Sequence, residues 1–258
     1  MKIKDQLNRN IDMPETPKRI ISLVPSQTEL LYYLGLENEI VGITKFCVYP
    51  VHWYKTKTKV GGTKQYKLEI IDRLKPDLII ANKEENDQQQ IEYLAERYPV
   101  WISDIQTLDD AFNMILTIGT LVDKKEDAQN LAKILKMRFS NLNFIKKHRV
   151  AYFIWRKPYM IAANDTFINE MLKVAGYENV FEKLSRYPEV SLEQLRECNP
   201  AVIFLSSEPY PFKEKHFDDF KNACPNAIVK LVDGELFSWY GNRLLKSADY
   251  FEGLKKSF

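Results

Sequence analysis

Glycine is scarce in this chain of 258 residues: there are nine, against about eighteen at the usual ~7%. They stand at 35, 42, 61, 62, 119, 176, 234, 241 and 253. No group of them spells G-x-G-x-x-G or G-x-x-x-x-G-K-[ST], so neither phosphate cradle is available. The G-x-S-x-G elbow is also absent. The three histidines, His52, His148 and His216, are each more than sixty residues from the next, which excludes H-E-x-x-H. Cys47, Cys198 and Cys224 form no C-x-x-C, so a structural zinc site is not expected, and free, mostly buried thiols are. Charge of one sign is lacking too. Lys+Arg is 37 and Asp+Glu is 35, a net +2 without the basic excess of a nucleic-acid binder. The longest apolar stretch, 114–122, is interrupted by Thr117, Gly119 and Thr120 and is too short to span a bilayer. The first ten residues carry lysines but no apolar h-region, so no secretory signal is read there.

What is present is the punctuation of an α/β protein. The run 19–24 ends at Pro25 and suits a buried strand. Ser26 with Glu29 spells a capping box ahead of Leu30, Leu31, Tyr33 and Leu34, and Gly35 closes that helix. Strands follow at 40–43, 78–81 and 100–102, with helices at 68–74 and 88–97 between them. The second half repeats the pattern, with strands at 150–155, 159–162, 202–205 and 228–232 and helices at 167–175 and 192–198. Such alternation predicts parallel sheets wrapped by helices. Leu34-Gly35-Leu36-Glu37-Asn38 is similar to Ala175-Gly176-Tyr177-Glu178-Asn179, and Leu68-Glu69 with Pro76 to Leu192-Glu193 with Pro200. The order is the same in both halves, which predicts two similar lobes.

Between them, Ala128, Leu131, Ala132, Leu135, Phe139, Leu142 and Ile145 recur on one helical face. A helix over 127–145 would run roughly 28 Å. The resulting scheme is an N-terminal α/β lobe at 1–119, a stiff interlobe helix at 120–148 and a C-terminal α/β lobe at 149–258. A cleft between lobes held in this way would be preformed, lowering the ordering cost of binding.

Ligands of open α/β sheets sit beyond the carboxyl ends of the strands. The loops expected there, 44–50, 82–86, 155–159, 206–212 and 233–243, nearly all carry aromatic residues. Rings on loops cover a core edge or stack on a flat ligand, because exposure costs ~25 cal/mol per Å². No pair of groups forms a persuasive catalytic unit. Glu84 and Glu85 read as acids or as a solvated face. Arg156, Arg186 and Arg243 read as forks for a carboxylate or phosphate, or as partners in salt bridges.

The run Arg19-Ile20-Ile21-Ser22-Leu23-Val24-Pro25-Ser26-Gln27-Thr28-Glu29-Leu30-Leu31, then Leu34-Gly35, Val41-Gly42, Leu68-Glu69 and Lys75-Pro76-Asp77-Leu78-Ile79-Ile80-Ala81, resembles the vitamin B12 and iron-siderophore binding proteins of ABC importers, the helical-backbone metal receptors or class III periplasmic binding proteins. The resemblance extends over nearly the whole chain. It implies two lobes bridged by one long helix, reversible capture of a solute and no reaction. It implies a metal chelate as cargo, whether a cobalamin-like corrinoid, a ferric siderophore or haem, with no covalent cofactor and a monomeric protein; a bare metal ion is not expected, because no convergent His/Asp/Glu set is visible. Aromatic rings would hold that cargo, at Phe46 or Tyr49, Trp155 or Tyr159, Tyr187, and Trp239 with Tyr240. Lys83, Glu84 and Arg243 complete the candidate ligand-binding set. The resemblance further implies that one glutamate on each lobe, Glu69 and Glu193, meets arginines of the permease. Their equivalent places in the two repeats agree with that, and so does simple compensation of a helix N-terminus.

Two loops depart from the vitamin-binding pattern: 82–86 has no tryptophan, and Trp239 stands where those proteins place an arginine. A periplasmic location follows from the resemblance. A cytoplasmic one follows if Met1 is the native start, and the same scaffold would then serve corrinoid or metal handling inside the cell. A two-lobe nucleotide-sugar enzyme is a third reading, opposed by the glycine-poor turns.

Overall fold

The computed structural model describes residues 2–142 and 148–255. The chain divides into two compact units. The first comprises Met1–Asp104, Asp109–Ile134 and Tyr240–Arg243; the second comprises Ile105–Leu108, Leu135–Trp239 and Leu244–Phe258.

The first unit opens with a hairpin of β1 (Lys2–Lys4) and β2 (Asn10–Asp12). Then come β3 (Ile20–Ser22), α1 (Pro25–Tyr33), β4 (Ile40–Ile43), α2 (Val51–Thr56), β5 (Thr58–Lys59), α3 (Leu68–Leu74), β6 (Leu78–Asn82), α4 (Gln88–Ala95) and β7 (Val100–Ser103). The five strands β3–β7 are all parallel, in the order β5-β4-β3-β6-β7. The central β3 and β6 are buried at every residue, as a sheet covered on both faces requires. Ile21, Leu23, Ile79, Ala81, Ile91, Leu94 and Val100 pack together as one core. Two helices follow, α5 (Leu108–Leu121) and α6 (Lys125–Ser140).

The second unit holds β8 (His148–Trp155), β9 (Met160–Ile161), α7 (Phe167–Val174), β10 (Tyr177–Asn179), α8 (Leu192–Cys198), β11 (Val202–Ser206), a 3₁₀ turn at Glu214–His216, α9 (Phe217–Ala223), β12 (Ile228–Val232), α10 (Glu235–Ser238) and α11 (Leu244–Lys255). Its parallel strands run β10-β8-β11-β12, with β9 antiparallel on β8. This order matches β4-β3-β6-β7 strand for strand. The match extends to detail. Helices α3 and α8 both have seven residues and end on a left-handed residue, Lys75 (φ 45°) and Asn199 (φ 43°). Each is followed by proline and then by a strand five residues long. Gly35 and Gly176, both at φ 79°, end α1 and α7 in the same way.

Two local expectations are corrected. Helix α1 is not capped by Ser26: it begins at Pro25, its N-cap Val24 offers no side-chain bond, and the fixed φ of proline starts the turn. Ser26 lies inside the helix, and Glu29 is engaged elsewhere. Nor does one helix cover 120–148. Helix α5 ends at Leu121, Asp123 takes φ 56° and the Lys124 N–H bonds the Gly119 carbonyl at 2.7 Å, so the chain breaks before α6. The expected apolar face of α6 is nevertheless buried at Ala128, Leu131, Ala132, Leu135 and Phe139. Helix α6 runs about 24 Å and stops at Ser140. The rest of the expected 127–145 helix, including Ile145, falls partly on 143–147, outside the described residues.

Candidate functional site

At the carboxyl ends of β3, β6 and β7 the first unit buries polar side chains. Gln27 Nε2 donates to Ser103 Oγ at 2.5 Å, and Asn82 Nδ2 donates to the same oxygen at 3.0 Å. Thr28 Oγ1 lies 2.7 Å from Ser22 Oγ, 2.9 Å from the Val24 carbonyl and 3.1 Å from Cys47 Sγ, and Thr44 Oγ1 lies 3.2 Å from that sulfur. Burial pushes the Cys47 thiol upward, against hydrogen bonds with Thr28 and Thr44. The loop after β6 is shaped by two asparagines. Asn86 Oδ1 accepts the Asn82 N–H at 2.8 Å, and Asn82 Oδ1 accepts the N–H groups of Glu84 and Glu85 at 2.9 and 3.0 Å. This holds Lys83 and Glu84 outward: Lys83 is exposed and pairs with Asp104 at 2.6 Å, while Glu84 is half-buried.

The segment Tyr240–Arg243 is part of this unit. Arg243 is buried and forms a two-pronged ion pair with Glu29, at 2.8 and 2.9 Å. Its guanidinium also sits 4.7 Å from the centre of the Tyr49 ring. Of the two sequence readings of Arg243, the salt bridge is the one the structure displays. Tyr240 is buried as well. Its phenol is raised well above the usual tyrosine range, first by burial and then by Glu85, against hydrogen bonds with Ser26 and Ser103. Phe46 and Tyr49 are different: 51% and 38% exposed, they present open ring surface.

In the second unit Trp155 ends β8. It is 38% exposed, its indole N–H meets the Lys157 carbonyl at 3.2 Å, and its ring stands edge-on to Tyr210 at 5.7 Å. Tyr159 is half-buried between Phe153 and Phe220, and its hydroxyl donates to Asp219 at 2.9 Å. Burial, then Asp219, pushes its phenol up to about 12. Arg156 completes this cluster with a 2.8 Å bond to Asp219 and is the main reason that carboxyl sits low. Tyr187 is partly buried beneath the Arg186 guanidinium, 5.6 Å from its ring centre. Trp239 is buried. The structure therefore groups Tyr49, Tyr240 and Arg243 in one unit and Trp155 and Tyr159 in the other. Tyr210, Asp219 and Glu29 are partners that sequence spacing did not select: Asp219 lies 63 residues from Arg156 and Glu29 lies 214 from Arg243.

Glu69 and Glu193 are the second residues of α3 and α8, and both are exposed. The Glu193 carboxyl is lowered by its own backbone N–H and by Ser191. Among the described residues no group of three or more His, Cys, Asp or Glu side chains is placed to hold a metal ion, and no helix is long and apolar enough to cross a membrane.

His216 is buried in this cluster, its Nδ1 accepting the Lys213 N–H at 3.0 Å and its Nε2 lying 3.5 Å from the Tyr210 hydroxyl. Burial, followed by Arg156 and Lys215, lowers its pKa, with Asp219 opposing. The folded state thus favours neutral imidazole. Its contribution is complete above the unfolded value of about 6.5 and is lost as pH falls toward the folded one. The urea midpoint is expected to drop between about pH 7 and pH 5, and His216→Gln to flatten that drop.

The two α/β units share one strand order. The chain belongs to the periplasmic binding protein family, whose sequence profile matches residues 20–225. It is 31% identical over 255 residues to the vitamin B12-binding protein of Vibrio parahaemolyticus, covering 94% of this chain and 92% of that one. In fold it is similar to the periplasmic vitamin B12 binding protein of Vibrio cholerae (TM-score 0.76, 24% identity, 95% and 98% of the two chains covered). It is likewise similar in fold to the periplasmic heme-binding protein of Roseiflexus sp. RS-1 (TM-score 0.80, 18% identity, 93% and 98% covered).

Proposed function

We propose that this protein captures a metal chelate and hands it to an ABC importer on the importer's external side, with no chemical step. The observation that carries this is the end-to-end similarity to a vitamin B12-binding protein, at 31% identity over 94% of the chain. A corrinoid is the first ligand to test, and a ferric siderophore and haem are the next. The exposed rings of Phe46, Tyr49 and Trp155 supply flat apolar surface suited to such a macrocycle. Arg243 supports one of them, its guanidinium 4.7 Å from the centre of the Tyr49 ring. The matched positions of Glu69 and Glu193 suit them to contact a permease built with two-fold symmetry.

Of the four tryptophans, Trp53 and Trp101 are fully buried and Trp239 nearly so, which leaves Trp155 as the accessible reporter. Titration with cyanocobalamin, a ferric hydroxamate or haemin is expected to quench tryptophan emission saturably for one of the three. Covering roughly 80 Å² of indole is worth about 2 kcal/mol, so Trp155→Ala should raise Kd about thirtyfold in equilibrium dialysis. Glu69→Gln with Glu193→Gln should leave Kd unchanged while abolishing stimulation of the importer's ATPase. No saturable binding of any of the three probes overturns the reading.

A further inference from the structure

Charge in this chain is nearly balanced overall, at +2, yet the stretch 40–68 carries six lysines and no aspartate or glutamate. The fold gathers part of that stretch into one surface. Tyr32 at the end of α1 stands 5.1 Å from the His52 ring and 5.4 Å from Trp53 on α2. The Lys57 ammonium lies 5.5 Å from the centre of the Trp53 ring, and that of Lys59 lies 4.9 Å from the centre of Tyr54. Tyr32, Val51 and Tyr54 are 44%, 54% and 41% exposed, and Lys55 is exposed beside them. Glu37 lies in the same patch. It accepts the Trp53 indole N–H at 2.6 Å, lies 3.1 Å from His52 and pairs with Lys57 at 3.5 Å, so it offsets that one lysine; the Lys59 ammonium donates to the Tyr54 and Lys57 carbonyls, and Lys55 is left as the exposed lysine of the patch.

We propose that this face, built on α2, β5 and the end of α1, binds an anionic lipid surface. Tyrosines and a valine open to solvent, ringed by lysines, have the composition of an interfacial contact. The rings settle at headgroup depth, and the positive charge of the patch, carried most openly by Lys55, attracts the anionic headgroups. Edge protection accounts for part of the pattern, because Lys57 precedes the edge strand β5 and Lys59 ends it, and lysines discourage edge-to-edge pairing. It does not account for Lys55 or for the exposed side chains of α1 and α2. The contact is separate from ligand capture and uses none of the residues assigned to it.

Vesicle flotation of the whole protein tests this. Vesicles of phosphatidylcholine with about one-third phosphatidylglycerol should bind at least about tenfold more tightly than pure phosphatidylcholine at about 0.1 M salt, and lose that preference near 1 M. Val51→Asp combined with Lys55→Glu should reduce binding at least about tenfold, with thermal unfolding and ligand Kd unchanged. Absence of binding, equal binding to neutral vesicles, full binding by the variant, or equally tight binding of an oligothymidylate would each overturn the proposal. Ligand Kd measured without vesicles keeps its failure distinct from failure of the transport reading.

Discussion

Arg243→Met is expected to cost about 3 kcal/mol and to lower Tm by about 6 °C or more. The guanidinium and the Glu29 carboxylate have side chains only 7% and 13% exposed and share two short hydrogen bonds. Removing the cation leaves a carboxylate in a site that water scarcely reaches, and that desolvation cost exceeds the worth of the pair itself. Truncation also takes the guanidinium from the Tyr49 ring. The double variant Glu29→Leu, Arg243→Met removes the stranded charge along with its partner and should regain most of the loss. Denaturant melts of wild type and both variants decide it. A single-variant cost below about 1 kcal/mol would class the pair with ordinary surface bridges. Ligand affinity of Arg243→Met reports separately on Tyr49, since the guanidinium is what lies beneath that exposed ring.

Gly61→Ala should be comparably damaging, at about 3 kcal/mol. Gly61 sits at φ +119°, a backbone conformation that L side chains rarely adopt. An added Cβ would lie 2.4 Å from the Gln65 carbonyl oxygen and 2.9 Å from the Tyr66 Cα, and both are backbone atoms. The turn they belong to is closed by the Gly62 N–H on Gln65 O at 2.8 Å, while Gly61 O accepts the Lys45 N–H at 2.8 Å. Relief of the clash would therefore disturb the loop that carries Phe46. Gly35→Ala is the matched control: φ is +79°, but nothing lies within 4 Å of the added carbon, so only the backbone strain of about 1 kcal/mol remains. Equal Tm losses for the two variants would show that contact with the turn contributes nothing.

Much of the fold was legible because its signals are local. Helices α3 and α8 begin and end where Leu68, Pro76, Leu192 and Pro200 put them, and β4 and β12 match the apolar runs residue for residue. The capping box at Ser26 misled because a proline one residue earlier starts a helix without any side-chain cap. The break at 122–124 was hidden because no glycine or proline marks it: Asp123 adopts the left-handed conformation itself. Helix α2 has six residues and each strand of the hairpin β1–β2 has three, too few for a periodic pattern to show in sequence. At the candidate site, loop position identified Phe46, Tyr49 and Trp155 as rings to watch, but position alone could not separate these open rings from buried Trp239 and Tyr240.

Chain order, apolar period and turn residues determined by themselves an α/β protein of two alike halves, since each depends on neighbours within a few residues. Only the tertiary structure decided that Arg243 spends its charge on Glu29, that Asp219 joins Arg156 to Tyr159, and that the lysines around α2 share a surface with tyrosines of two helices. Those outcomes depend on which distant segments meet once the sheets close. Pairing energy and desolvation are set by that encounter, and no residue's immediate neighbours in sequence encode it.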